Sequence, residues 1–244
     1  VTVSPEQRRF KVFHRCRKER YLVRNMINSG GKTRKSDVVF WDRLSGYYDG
    51  FMRRFAREYP ELLRMIAAEL RPDDSVLEVG CGTGIVSLFI SPLVRRVTAA
   101  DISPAMISVA AAKAGKRGLV NMEFSVQDAL ALTFADSSFD AVIIANALHV
   151  VPEPMGVLNE AGRVLNPAGQ LLAATYCHGE NMKARFLFRL LYLTGFRPFR
   201  EYTSRSFADL ITTAGFSVKK TRLIEKAFPL VYIAAQPGKD AFSR

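Results

Sequence analysis

The sequence predicts an α/β fold in which a mostly parallel sheet carries helices on both faces. Short apolar runs, such as AVIIA at residues 141–145, are typical of strands that are buried on both faces. These runs alternate with segments of helical periodicity, as parallel strands joined by crossover helices require. A glycine-rich turn, EVGCGTG at residues 78–84, directly follows the first apolar run of this series. Such a turn at the end of a buried strand is typical of a nucleotide site.

Two helices are predicted ahead of the first strand, over residues 37–55 and 60–70, where apolar residues recur at helical spacing. Strands are then predicted over residues 75–79, 97–100, 122–126, 139–145 and 170–175, and the helices between them over 85–90, 104–114 and 154–164. Ser103 is suited to cap the helix that Pro104 opens. The order strand, helix, strand therefore persists through most of the chain.

The last part of the chain breaks this alternation. Ser206-Phe207-Ala208-Asp209 is similar to a capping box and predicts a helix that stops at Gly215. Two strands follow over residues 216–224 and 230–235, and the short link between them permits a hairpin. We therefore expect seven strands in all, with an antiparallel last strand at the edge of the sheet.

The charge of the chain is concentrated at its N-terminal end. The formal net charge is +12, and residues 1–36 hold eleven Lys and Arg against Glu6 and Glu19. We interpret this segment as a basic, flexible arm, because such charge runs are usually solvated. The predicted organisation is an arm over residues 1–36, a helical cap over 37–70, a main domain over 71–236 with an insertion at 177–206, and a tail over 237–244.

The three cysteines, Cys16, Cys81 and Cys177, are scattered and odd in number. This pattern favours reduced thiols and a cytoplasmic protein over a disulfide framework. The histidines form no ligand spacing with them, so we expect no structural metal. The N-terminal residues lack the apolar region of a signal peptide, and no apolar run reaches the length that a membrane-spanning helix needs.

The spacing within the glycine turn narrows the class of ligand. Gly80, Gly82 and Gly84 give G-x-G-x-G, whereas the dinucleotide fingerprint is G-x-G-x-x-G and a phosphate P-loop needs a following Lys. Glycines at alternate positions let the backbone turn sharply and approach a ligand closely. The carboxylate of Glu78 would repel a pyrophosphate but suits a ligand that carries an ammonium or sulfonium charge.

VLEVGCGTG at residues 76–84 resembles the first motif of the class I S-adenosylmethionine-dependent methyltransferases. The resemblance extends over about residues 40–235 and includes VTAADISPAM, SVQDAL, FDAVIIANALHVV and LNPAGQLLAATY in the family's order. It implies a Rossmann-like, doubly wound fold, S-adenosylmethionine as the cofactor, and methyl transfer as the reaction.

The same resemblance implies a set of cofactor-binding residues. Asp101 would hold the ribose hydroxyls, Asp128 the exocyclic amine of the adenine, and the glycine turn the amino-acid part. The implied set is Tyr48, Glu78, Gly80, Cys81, Gly82, Gly84, Asp101, Ile102, Met106, Asp128, Ala129 and Asn146. Taken singly, Asp101 is equally typical of a helix cap, and Asp128 of an ordinary loop.

The acceptor of the methyl group is less well indicated. SGYYDG, with Tyr48, resembles the Tyr-Asp element of the ubiquinone/menaquinone-type C-methyltransferases, which implies a small-molecule or lipophilic, quinone- or lipid-like acceptor. His149 is the candidate general base, and the alternative is that it packs beneath the insertion. The insertion mixes aromatic and basic residues, which suits either an apolar substrate cover or peripheral contact with a membrane.

Two other classes of function stay open. The first is an RNA-directed methyltransferase that uses the basic arm, and the second is a non-catalytic module that binds S-adenosylmethionine. The residues after the fourth strand, Asn146-Ala147-Leu148-His149, differ from the Asp/Asn-Pro-Pro-aromatic motif of enzymes that methylate the exocyclic amines of bases, which disfavours a nucleic-acid substrate. Nothing in the sequence indicates the oligomeric state.

Overall fold

The protein is described by a computed structural model that covers residues 34–192 and 198–238. The helices are α1 (Arg34–Phe55), α2 (Tyr59–Ala67), α3 (Ile85–Ile90), α4 (Pro104–Lys116), α5 (Pro154–Val164), α6 (Met182–Tyr192) and α7 (Ser204–Thr213). The strands are β1 (Ser75–Val79), β2 (Arg96–Asp101), β3 (Met122–Val126), β4 (Phe139–Ala145), β5 (Leu165–Tyr176), β6 (Phe216–Ile224) and β7 (Leu230–Pro237).

The strands form one seven-stranded sheet in the order β3-β2-β1-β4-β5-β7-β6. The pairs among β1 to β5 are parallel, whereas β7 is antiparallel to both of its neighbours, β5 and β6. The predicted fold class, a Rossmann-like sheet with an antiparallel last strand, is confirmed. The carboxyl ends of the parallel strands meet at one edge of the sheet, where ligands of such folds bind.

Alternate residues of each central strand feed two separate cores. On one face Leu77 and Val142 pack with apolar residues of α5 and α7. On the other face Val76 and Ile143 pack with α2 and α3, including the fully buried Leu62. Every residue of β1 is buried, as expected for a strand covered on both faces. The cores therefore hold the strand ends rigidly in register.

Three local predictions differ from the structure. The antiparallel strand is not at the edge, because β7 inserts between β5 and β6 and leaves β6 outermost. The capping box of α7 consists of Thr203 and Ser206, three residues earlier than predicted, because the Thr203 side chain accepts from the Ser206 amide. Strand β5 begins at Leu165 rather than residue 170, because Leu165 still pairs with Phe139 of β4 across an irregularity.

The predicted arm, residues 1–36, lies outside the described residues except for 34–36, which begin α1. The insertion at 177–206 contains α6 and the start of α7, and its residues 193–197 also lie outside the description. Among the described helices, none has the length and apolar character that crossing a membrane requires.

Candidate active site

A cavity opens at the carboxyl edge of β1, β2 and β4. Nine of the residues implied by the sequence resemblance line it, namely Tyr48, Gly80, Gly82, Asp101, Ile102, Met106, Asp128, Ala129 and Asn146. Glu78, Cys81, Gly84 and the candidate base His149 are not part of this lining. The structure thus brings together residues that are up to 98 positions apart in the chain.

The glycine turn leaves β1 through three residues with left-handed backbone angles, Gly80 (φ 71°), Gly82 (φ 53°) and Gly84 (φ 77°). A Cβ atom on Gly80 would lie 2.7 Å from the Cβ of Ala147, so a side chain is excluded there. One on Gly84 would lie 3.1 Å from the Cβ of Ala110, which lets α3 pack closely on α4. Glycine is therefore required both for the path of the turn and for its packing.

Asp101, the last residue of β2, organises the turn beside it. One carboxylate oxygen accepts from the Gly82 amide at 2.8 Å, and the other accepts from the Ser103 amide at 2.9 Å. Burial raises the pKa of the Asp101 carboxyl, although these amide bonds oppose the shift. Each oxygen keeps a further lone pair that can face the cavity.

Glu78 lies beneath the glycine turn and is only 2% exposed. Its carboxylate accepts from both the amide, at 2.9 Å, and the hydroxyl of Ser87 on α3. Burial raises the pKa of the Glu78 carboxyl to about 7, against the lowering effect of the Ser87 bonds. The Cys81 thiol is buried as well, and burial raises its pKa, which makes it a poor nucleophile.

Asp128 and Ala129 begin the loop after β3. Asp128 accepts from the Leu130 amide at 3.0 Å, which closes a tight turn at the cavity wall. The rest of the loop is tied to α5 by Arg163, whose guanidinium donates to the carbonyls of Leu132 and Phe134, each at 2.8 Å. Arg163 therefore fixes a loop that contributes directly to the cavity, although it does not line the cavity itself.

Asn146 follows β4 in a left-handed conformation with φ 57°, which is uncommon outside glycine. Its side-chain amide donates to the hydroxyl of Tyr59 at 2.9 Å. Its Oδ1 atom is buried and has no hydrogen-bond partner within the described parts of the chain. A buried carbonyl oxygen beside a cavity that goes unpaired is costly, unless a ligand donates to it.

Helix α1 covers the cavity with Trp41 and Tyr48, whose rings meet edge to face at a centroid distance of 6.4 Å. A Cβ on Gly82 would lie 3.7 Å from the Tyr48 ring, so Tyr48 rests on the glycine turn. Trp41 was not among the sequence-predicted residues. Its signal was the repeat of an aromatic-Asp pair in WDRLSGYYD, at 41–42 and again at 48–49, which places both aromatics on one helix face.

His149 is 4% exposed and lies behind the cavity wall. Its Nδ1 is 3.2 Å from the hydroxyl of Thr175, and its backbone carbonyl accepts from the Phe199 amide at 2.9 Å. Burial, aided by His178, lowers the pKa of His149 to about 3, so in this arrangement it is a weak base. Its catalytic role stays a prediction. Within residues 34–192 and 198–238, no cluster of His, Cys, Asp or Glu is arranged to hold a metal ion.

Comparison with known proteins supports the resemblance to methyltransferases. A family model described as "Methyltransferase domain" matches residues 77–173. A demethylmenaquinone methyltransferase of Renibacterium salmoninarum is 41% identical over 107 residues, 44% of this chain and 43% of that protein. A ubiquinone/menaquinone biosynthesis C-methyltransferase UbiE of Brucella canis is 33% identical over 175 residues, 69% of this chain and 56% of that protein. The matched part therefore spans about half the length of these curated relatives.

Solved structures share the fold. A DhpI–SAH complex superposes with a TM-score of 0.65 at 24% identity, over 86% of this chain and 100% of that one. A SAM-dependent methyltransferase from Methanosarcina mazei superposes with a TM-score of 0.61 at 25% identity, over 72% of this chain and 98% of that one. The family model and the curated relatives, together with this fold and the glycine turn, show that the chain belongs to the class I S-adenosylmethionine-dependent methyltransferases.

Proposed function

We propose that this protein transfers a methyl group from S-adenosylmethionine to a lipophilic, aromatic small molecule of the quinone type. The observation that carries the proposal is the cavity at the carboxyl edge of the sheet, where a glycine turn, two aspartates and an asparagine converge. The names of the relatives quoted above, which refer to menaquinone and ubiquinone, support the choice of acceptor class.

The residues of the cavity fit the proposed cofactor. Asp101 offers two acceptor oxygens at the strand end, which suits the two hydroxyls of a ribose. Gly80 and Gly82 carry no side chain that could fill the space above the turn. The buried Oδ1 of Asn146 suits a donor such as an α-ammonium group, which would satisfy it.

S-adenosylmethionine supplies a methyl group already activated by the adjacent sulfonium. The protein must hold an acceptor atom in line with that methyl group and keep water away from it. Helix α1 and the glycine turn form one side of the cavity, and the ends of the buried strands form the other. A base is needed only for an acceptor that is protonated at neutral pH, and His149 stays the candidate for that role.

A cluster of aromatic rings near the end of β5 packs α6 against the sheet. The Phe188 ring of α6 lies 4.0 Å from His178, 4.9 Å from Phe228 and 6.2 Å from Tyr176. Such rings favour offset or edge-to-face contact with another planar ring. Phe188 is only 3% exposed and none of these rings lines the cavity, so the support for an aromatic acceptor comes from the names of the relatives.

The outer face of α6 supports peripheral contact with an anionic membrane surface. Met182 is 79% exposed and Phe186 is 66% exposed, which is unusual for such large apolar side chains. Lys183, Arg185 and Arg189 are exposed on the same helix. Apolar side chains interleaved with cations are typical of helices that lie in a lipid interface, where a lipophilic acceptor is also dissolved.

The activity is tested by methyl-transfer assays with labelled S-adenosylmethionine and three acceptor pools: a demethylated menaquinol analogue, phospholipid, and RNA. We expect transfer to the quinol analogue and loss of that transfer, together with loss of cofactor binding in calorimetry, in Asp101→Ala. Transfer to RNA alone would show that the acceptor is RNA and not a quinone-type molecule. The absence of cofactor binding by the wild-type protein would refute the proposal as a whole.

The membrane contact is tested by co-sedimentation with vesicles that contain or lack phosphatidylglycerol. We expect salt-sensitive binding to the anionic vesicles alone, and weaker binding by Phe186→Ser. The matched control is Phe89→Ser, which removes another exposed phenylalanine, 40% exposed, from α3. Equal binding by both variants, or no binding by the wild type, would contradict a role for α6.

A further inference from the structure

Helix α1 is fastened to the proposed cofactor site by two carboxylates that lie two helical turns apart. The first is Asp42, whose Oδ1 accepts from the Ser103 hydroxyl at 2.5 Å and from the Ala105 amide at 3.2 Å. Ser103 also caps α4 and donates its amide to Asp101. Asp42 therefore bonds the segment that orients the proposed ribose ligand.

The second carboxylate is Asp49. Its Oδ1 accepts from the Thr83 hydroxyl at 2.5 Å, and Thr83 is fully buried within the glycine turn. Its Oδ2 accepts from the Lys113 ammonium of α4 at 2.7 Å. Asp49 therefore bonds α1 to the glycine turn, and through Lys113 it also holds α4 against α1.

The aromatic residue before each aspartate forms the roof of the cavity. Trp41 precedes Asp42, Tyr48 precedes Asp49, and both rings line the cavity. Residues seven positions apart lie on nearly the same face of a helix. Each aromatic ring that covers the cavity is therefore followed by an aspartate that bonds α1 to the site. This arrangement leaves little access to the cavity from the side of α1 while the carboxylates stay bonded.

We propose that Asp42 and Asp49 are positioning residues that hold α1 closed over the cofactor site, so that docking of α1 and cofactor binding stabilise each other. The proposal rests on the proposed function, since it assigns the cavity to S-adenosylmethionine. Because coupling between two binding events is reciprocal, the cofactor must also hold α1 down. Cofactor exchange then requires both carboxylates to release their partners.

The test uses Asp42→Ala, Asp49→Ala and the double variant of the full chain, with Asp209→Ala as the control. Alanine is the best helix former, so the substitutions do not weaken α1 as a helix. Asp209 is an exposed aspartate on α7, which packs against β6. The first readout is acrylamide quenching of Trp41, the single tryptophan of the chain, without any ligand. We expect faster quenching in the Asp42 and Asp49 variants and no change in the control.

The second readout is binding of S-adenosylhomocysteine by calorimetry, with stopped-flow release monitored through Trp41. We expect the dissociation constant to rise about tenfold in each single variant, mostly through faster release, since each loses a bond to a charged group. Asp49→Asn keeps the acceptor for Thr83 but loses the ion pair with Lys113, and it should lie between wild type and Asp49→Ala.

Unchanged quenching of Trp41 together with unchanged ligand affinity in the double variant would overturn the proposal. If the Asp42 and Asp49 variants are quenched faster but the wild-type protein binds no S-adenosylhomocysteine, the two carboxylates do hold α1 in place. That result refutes only the assignment of the cavity to the cofactor. A global loss of structure is recognised by far-ultraviolet circular dichroism, and Asp49→Asn then carries the test in place of the alanine variant.

Discussion

The buried carboxyl group of Glu78 makes stability depend on pH in an unusual direction. Glu78 is 2% exposed, and burial raises the pKa of its carboxyl from 4.5 to about 7. In the unfolded chain it releases its proton at lower pH than in the folded chain. Its contribution is thus fully present below pH 4.5 and is lost as the pH rises toward 7.

The size of the effect follows from the shift itself. Each unit of difference in pKa between the folded and unfolded states is worth about 1.4 kcal/mol, so the shift of Glu78 corresponds to about 3 kcal/mol. Glu78→Gln has nearly the same shape, keeps an oxygen that accepts from Ser87, and cannot ionise. Relative to this variant, wild-type stability should fall by about 3 kcal/mol between pH 4.5 and pH 8.

The assay is urea unfolding followed by circular dichroism, on both proteins without ligand, at intervals across that pH range. Only the difference between the two proteins is interpreted, because all other titrating groups are shared. A wild-type stability that rises with pH relative to Glu78→Gln would refute the reasoning, since that is the behaviour of a carboxyl group whose pKa is lowered by folding.

Three further predictions concern packing, the loop of the cavity and the candidate base. Gly80→Ala should lower the free energy of unfolding by about 2 kcal/mol in urea, because its Cβ would lie 2.7 Å from Ala147 and its backbone is left-handed. The control is Gly50→Ala, whose Cβ meets no described atom within 4 Å and which should not be destabilising. Arg163→Met should cost about 2 kcal/mol by the same measurement, and Arg163→Lys should recover only part of it, because an ammonium cannot span both carbonyls. His149 should show no titration between pH 5 and pH 8 in carbon-detected histidine spectra, because burial lowers its pKa to about 3. A titration midpoint near pH 6.5 would contradict the buried placement of His149. Equal losses of stability in Arg163→Met and Arg163→Lys would contradict the role given to the two guanidinium nitrogens that reach the carbonyls.

The parts of the fold that depend on local chemistry could be predicted from the sequence. The bounds of β1, β3 and β4 and of α5 agree with the prediction, because apolar runs and proline signals mark them. The place of β7 could not be predicted in this way. A short link predicts a hairpin, but which of its two strands joins β5 depends on the apolar faces that the rest of the sheet presents.

The same distinction applies to the candidate site. Asp101 and Asp128 could be predicted because the family resemblance implies them, and the structure places both at the cavity on the carboxyl edge of the sheet. The bond from Thr83 to Asp49 joins residues 34 positions apart and depends on how α1 docks, which no local pattern reveals. Glu78 was assigned to the ligand by the sequence, whereas in the structure its carboxylate accepts from Ser87, nine residues away on the next helix, and lies outside the cavity lining.

The position of β7 between β5 and β6 has a consequence for folding during synthesis. During synthesis β6 leaves the ribosome before β7, yet β6 can join the sheet only through β7. Until Leu230 and the residues after it have emerged, the edge of β5 offers its backbone groups to any other strand. A chain interrupted in the link before β7 would leave β6 without a partner and β5 with one unpaired edge, and both would invite aggregation.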